Sequence, residues 1–227
     1  MNRDDQGEKQ MCCRFYVEPE DEYFRQMAER IASSPLMSRF RGKLPVNAQG
    51  AYGGEVAPTS VVPVLAPNRS GEQTVFPMQW GYTLPASGER KLRLIINARS
   101  ETAAEKPLFR DSWRSRRCVV PVTAYFEWEH RTGFDGKPKT GDKYRITPAA
   151  GERTFLAGLY RMEDGIPSFV ILTRAPADNL FWMHDRMPLL LPESAVTEWI
   201  SPENRPENCL AFALTDTVWE KAQARGG

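Results

Sequence analysis

Two hydrophobic patterns alternate along the chain. Between Pro19 and Ser34, Tyr23, Met27 and Ile31 recur every four residues, the spacing of one buried helical stripe. Pro19 suits the first turn of that helix, Glu20, Asp21 and Glu22 suit the positive end of its dipole, and Pro35 follows its end. Elsewhere short apolar runs sit between Gly, Pro and Asn, as strands do. They fall at Val61–Leu65 (interrupted at Pro63), 75–81, Leu94–Ile96, 117–122, 124–129, 144–147, 154–159, 168–173, 189–191 and 210–214. In 124–129 the period is two: Phe126 and Trp128 share one face, and Tyr125, Glu127 and Glu129 the other. Thr102 and Glu105 are spaced as a capping box for a helix after Ser100, and a second short helix begins near Pro107. Further helices are expected at 178–183 and 192–200, and a long mobile hairpin connection from His130 to Asp142. The sum is an α+β single domain over residues 11–227, with mixed and antiparallel sheets folded barrel-like and a few peripheral helices. Residues 1–10 read as a polar leader or an upstream start.

Composition narrows the class. The 227 residues are 41% hydrophobic, with six Trp and eleven Phe, enough for a proper core. A net charge of +1 means that any polyanion site is a local patch. One such patch runs from Arg90 to Arg117, where nine Lys/Arg face three acids, and Arg110 and Arg114 share a helix face. The four cysteines (12, 13, 118 and 209) make no C-x-x-C, which suits a reducing cytosol. No transmembrane helix, signal peptide, cofactor or metal site is expected. A zinc site from Cys12, Cys13, His130 and His184 lacks the usual ligand spacing. A cytoplasmic monomer is expected.

The stretch Met11-Cys12-Cys13-Arg14-Phe15 carries the chemistry. If the chain up to Met11 is removed, Cys12 presents an α-amine beside its thiol. With reference pKa values of about 7.7–8.0 and about 8.5, both are partly deprotonated near neutrality. Such a 1,2-aminothiol condenses with an aldehyde to an imine, which the thiol closes to a thiazolidine. The plainer reading makes Cys12 and Cys13 small hydrophobes opening a first strand. Four stretches hold polar groups in unusual places: Cys12 with Arg14, Asn97 with Arg99, Glu127 between aromatics, and His184 before Asp-Arg.

Together with Trp80-Gly81, Asn97-Ala98-Arg99-Ser100-Glu101-Thr102, Arg116 to Pro121, Phe126-Glu127-Trp128 and His184 to Pro188, the chain resembles the SOS-response-associated peptidase (SRAP) family. The matches run in order from residue 11 to about 190. The resemblance implies a DNA-damage protein that binds single-stranded DNA and captures abasic sites covalently through the N-terminal cysteine, with autoproteolytic exposure of that cysteine. By position, Cys12 is the nucleophile, and Asn97 holds the amine or sugar. Glu127 is the acid/base group, and His184 assists opening of the deoxyribose ring. Arg14, Arg99, Arg117 and Arg186 are the phosphate candidates, with Trp80 near the stacked bases. A partly desolvated carboxylate and a histidine both titrate in a useful range for this chemistry.

The chain departs from the family at three points. Cys13 stands where the family has Gly, Glu55 stands where it has Asn in N-x-A-P, and only Tyr82 or Leu84 follows Trp80-Gly81 where many members have a further tryptophan. The ten-residue leader also makes the Cys12 nitrogen an amide unless it is removed. Two other readings remain open: a thiol peptidase acting in trans, and a non-covalent single-strand binding module. A replication-associated protein partner, of unknown identity, is a further possibility.

Overall fold

A computed structural model describes residues 14–40, 52–86, 92–132, 136–151 and 153–222. The leader, Cys12 and Cys13 lie outside the described residues, as do Arg90 and Lys91 of the basic stretch. The strands are β1 (Arg14–Val17), β2 (Gly54–Val56), β3 (Val61–Pro67), β4 (Gln73–Trp80), β5 (Tyr82–Leu84), β6 (Arg93–Ile95), β7 (Asn97–Arg99) and β8 (Arg117–Val122). They continue as β9 (Ala124–Thr132), β10 (Pro138–Pro148), β11 (Thr154–Glu163), β12 (Ile166–Arg174), β13 (Met187–Pro188), β14 (Leu190–Leu191) and β15 (Thr217–Lys221). The helices are α1 (Glu22–Ala32), α2 (Arg110–Ser115), α3 (Val196–Ile200) and α4 (Pro206–Cys209). The fold is α+β, as the pattern predicts.

Five strands close on themselves in the order β12-β4-β3-β8-β11, with β11 pairing back to β12. Ring closure covers the inner face of these strands, and the elements packed around the ring cover the other. That is why β3 and β8 are near-continuous apolar runs with every residue of β8 buried. One face packs Val62, Val64, Trp80, Val120 and Phe169 into a cluster shared with Phe15 and Tyr125. The other packs Leu65, Val119 and Phe155 against Trp113 and Trp199. A second sheet, ordered β15-β10-β9-β1-β2, lies beside this barrel. β1 joins the two through Phe15, whose ring lies 5.1 Å from that of Trp80.

Proline does not interrupt β3. Pro63 faces Pro77 across the β3–β4 ladder, and the strand runs on to Pro67. Gly81 has φ +116° and donates its N–H to Phe169 O at 2.7 Å. A Cβ there would meet Leu94 Cδ1 at 2.6 Å, so glycine is required after Trp80.

The first helix forms with a shorter start than expected. Asp21 caps it by accepting the Tyr23 N–H at 2.8 Å, an interaction worth about 1 kcal/mol. Three expectations fail. The segment after Ser100 makes only turns, with Glu105 and Lys106 N–H both donating to Thr102 O, while Thr102 Oγ1 is buried and caps nothing. Pro107 supplies no N–H to extend those turns, and α2 begins three residues later, at Arg110. The hairpin from His130 is strand on both sides, β9 running to Thr132 and β10 starting at Pro138. Residues 210–212 form a 3-10 turn after α4, and the last strand is β15.

Candidate active site

Asn97, Glu127 and His184 sit on three elements that border one buried cluster. Asn97 opens β7, parallel to β12 and opposite Ile171. The residue before it is fixed by the Trp80 indole, whose Nε1 donates to Ile96 O at 3.0 Å. Glu127 lies in β9 opposite Tyr144 and is 3% exposed. Its Oε1 accepts the Trp128 N–H at 3.1 Å. His184 is 4% exposed and follows Met183, whose carbonyl accepts the His130 N–H at 3.0 Å. Ile96, Tyr125, Tyr144, Met183 and Phe15 all belong to the same cluster. The neighbours of the three predicted polar groups therefore pack together, although they are far apart in sequence.

His184 has two neighbours at Nδ1. Its Nδ1 accepts the Arg186 N–H at 3.0 Å and lies 2.8 Å from Asp185 Oδ1. A neutral ring that accepts at Nδ1 carries its proton on Nε2, which is buried. A protonated ring donates from Nδ1 to Asp185 instead. Each state has a partner in place. The chain's other histidine, His130, packs on it with ring centroids 4.1 Å apart and planes tilted by 59°. Sequence spacing gave no sign of this pair, because the contact is made by the turn before His184 running alongside β9. Among the described residues no group of three or more His, Cys, Asp or Glu is placed to hold a metal ion.

Cys12 lies outside the described residues, but the strand it precedes is placed. Arg14 is opposite Phe126 and Phe15 opposite Tyr125, so β1 enters the sheet one residue from the position across from Glu127.

The predicted phosphate and base contacts divide sharply. Trp80 is 0% exposed, 5.1 Å from Phe15 and stacked 6.3 Å from Phe169. It cannot reach a base and serves as the barrel's packing core. Arg117 is also 0% exposed. Its guanidinium donates to the carbonyls of Trp199 (2.6 Å), Trp113 and Arg114 (both 2.8 Å), Asn204 (2.9 Å) and Ser201, so it pins helix ends and is not a phosphate ligand. Burial lowers its pKa from the ordinary guanidinium value.

Arg186 is committed elsewhere. Its two terminal nitrogens bind Glu101 at 2.7 and 2.6 Å, and Nη2 also donates to Thr173 O at 2.8 Å. Burial works to raise the Glu101 carboxyl's pKa, but the Arg186 hydrogen bonds and charge hold it below the usual carboxylate range. This link ties the 184–188 segment to the turn after β7, which fixes His184 and Asn97 relative to β12. Arg186 is a positioning residue in this arrangement.

Arg99 is exposed. Arg14 lies in a surface group with Glu55 and Lys143, at 3.5 Å and 2.6 Å from the Glu55 carboxylate respectively. Lys143 Nζ also sits 3.9 Å over Phe126 and 5.2 Å from Trp128, which confirms that these two rings share a face. The carboxylate that departs from the family pattern is thus neutralised by two cations. Tyr82, offered as a substitute for the missing tryptophan, is buried, and its ring lies under Arg161 at 4.3 Å.

The SOS response associated peptidase (SRAP) family model matches residues 11–224. The chain is 30% identical over 216 residues to the abasic site processing protein YedK of Escherichia coli, covering 92% of this chain and 87% of YedK. It is 32% identical over 143 residues to the abasic site processing protein YobE of Bacillus subtilis, covering 60% of this chain and 63% of YobE, so the match spans less than two thirds of that relative. The fold is similar to that of a Bacteroides thetaiotaomicron protein, with TM-score 0.66, 19% identity and coverage of 93% and 92% of the two chains. A phage-related protein of Bordetella bronchiseptica gives TM-score 0.64 at 20% identity, with coverage of 94% and 95%. No helix among the described residues is long and apolar enough to cross a membrane. With the ordered motifs, the barrel and a model match over nearly the whole chain in agreement, the chain belongs to the SOS response associated peptidase family.

Proposed function

We propose that this protein captures abasic sites in single-stranded DNA as a thiazolidine on Cys12, after removal of residues 1–11. The observation that carries the reading is the entry of β1 opposite β9 beside the buried Glu127, with Arg14 paired to Phe126. The names of the relatives, abasic site processing proteins from bacteria and yeast, support the substrate class.

The chemistry follows in order. Hydrolysis of the Met11–Cys12 bond, by the chain itself or, in a chain whose translation begins at Met11, by an aminopeptidase, consumes one water and frees the α-amine. An abasic sugar is mostly a closed hemiacetal, and His184, with Nδ1 partners for both protonation states, assists proton transfer to the ring oxygen as the aldehyde opens. The neutral amine attacks the aldehyde carbon, and the carbinolamine loses water to an imine, with Glu127 as the acid/base group. The Cys12 thiolate adds to the imine carbon, the nitrogen takes a proton, and the ring closes. Asn97 holds the amine or sugar by hydrogen bonding. Arg14 and Arg99 remain the phosphate contacts among the predicted set. The site is located in the cytoplasm and acts as a monomer in this reading.

The test is incubation of the chain, shown by N-terminal sequencing to begin at Cys12, with a single-stranded abasic oligonucleotide. A denaturant-resistant adduct is expected, and none from a chain that keeps residues 1–11 uncleaved. Equal adduct from both chains rules the proposal out.

A further inference from the structure

Three aromatic rings stand together next to the site, and neither the motifs nor the family match accounts for them. Tyr144, Trp182 and Trp219 have centroids 5.1–5.4 Å apart in pairs. Tyr144 is buried, and both indoles meet it edge to face at 90°. Trp182 and Trp219 remain 42% and 44% exposed. Exposed large rings gathered in one place mark a contact surface more often than chance packing.

The group is ordered in advance. Trp182 Nε1 donates to Asn179 O at 2.9 Å, and Asn179 Nδ2 donates to Thr217 O at 2.6 Å, which ties the turn before His184 to β15. Its position is also specific. Tyr144 is the residue opposite Glu127, and Trp182 is two residues before His184. Lys221 lies opposite Tyr144 and is joined through Asp142 to Arg131 of β9, which also pairs with Glu129 at 2.6 Å. Lys221 and Arg131 lie 2.9 and 3.3 Å from Asp142, and both side chains are more than half exposed.

We infer that Trp182 and Trp219 form a stacking platform for unpaired bases of a nucleic-acid strand that enters the site. This rests on the proposed capture of abasic single-stranded DNA and adds where the neighbouring bases lie. Flat, pre-ordered indoles accept any base on their π-faces. The tryptophan that the motifs nominate for stacking, Trp80, is sealed in the barrel, so the exposed pair meets a requirement that Trp80 cannot. A nucleic-acid strand fits better than a protein partner because the open rings adjoin the reacting groups directly.

The test uses the full chain and a fluorescein-labelled undamaged single-stranded oligonucleotide, with affinity read by anisotropy. Trp182→Leu and Trp219→Leu keep an apolar side chain but remove the flat π-face. Loss of stacking weakens binding by roughly 5- to 150-fold per base lost in the double variant, with the salt slope unchanged. Trp182→Phe with Trp219→Phe restores most of the affinity, which a merely structural role does not predict. Binding of the Leu double variant within twofold of the unsubstituted chain overturns the inference. A changed sedimentation coefficient with DNA binding intact also overturns it, and identifies the surface as a protein interface. Tryptophan-dependent binding without any adduct on abasic DNA upholds the platform and removes the capture reaction instead. No binding by the unsubstituted chain removes both.

Discussion

The imidazoles of His130 and His184 pack with centroids 4.1 Å apart, although 53 residues separate them in the chain. His184 is enclosed by this contact, by its own Arg186 N–H bond and by Asp185. His184→Ala removes the proton-transferring group and is expected to slow adduct formation by about 10²–10⁴-fold. His130→Phe keeps a ring against His184 and is expected to slow it by less than about 10-fold. Single-turnover rates on abasic single-stranded DNA separate the two. An equal loss in both variants makes His130 a direct participant.

Glu55 holds Arg14 and Lys143 on the outer face of the second sheet. Glu55→Gln releases both cations. Single-stranded DNA is expected to bind more tightly, with a salt slope steeper by about 0.7–1.4, the increment for one or two further phosphate contacts. Anisotropy titrations across a salt series check this, and an unchanged slope means that these cations do not meet the strand.

Arg117 stabilises the fold through five carbonyls. Arg117→Met leaves those acceptors without their donor and is expected to cost about 2–4 kcal/mol of stability. DNA affinity of the fraction that stays folded is expected to hold, with the same salt slope. Urea unfolding and salt-dependent binding provide the two readouts.

The Glu101 carboxyl is held below its ordinary pKa against the effect of burial by the Arg186 fork. A depressed folded-state pKa contributes stability that is fully present above the unfolded value of about 4.3 and is lost as pH falls through the folded value. Glu101→Gln is therefore expected to destabilise the chain near neutrality and to match the unsubstituted chain at strongly acid pH. Because Glu101 is half exposed, the difference stays below about 1 kcal/mol. Thermal melts of both chains from pH 7 down to pH 3 measure it. A gap that widens toward acid contradicts the assignment.

Local pattern carried the fold a long way. The period-two face of Phe126 and Trp128, the α1 stripe and the buried runs of β8 and β12 were legible because hydrophobic spacing is set by where the core lies. Pro63 reads as a break in the local sequence because its partner, Pro77, is defined by register. Thr102 and Glu105 had the capping spacing, but Pro107 stops the helix they would start. The same limit applies to the site. Glu127, Asn97 and His184 stand out as polar residues in apolar surroundings, whereas burial of Arg117 and Trp80 depends on what folds over them. Trp182, Trp219 and His130 carried no motif, and only the docking of the turn before His184 against β9, β10 and β15 brings them together.

Intact mass spectrometry of the chain beginning at Cys12, after reaction with an abasic single-stranded oligonucleotide, shows whether the thiazolidine forms. Capture on Cys12 gives a product whose mass is the protein plus the oligonucleotide minus one water, absent for Cys12→Ala. A product of that mass from the Cys12→Ala chain, or no such product from the chain beginning at Cys12, contradicts it.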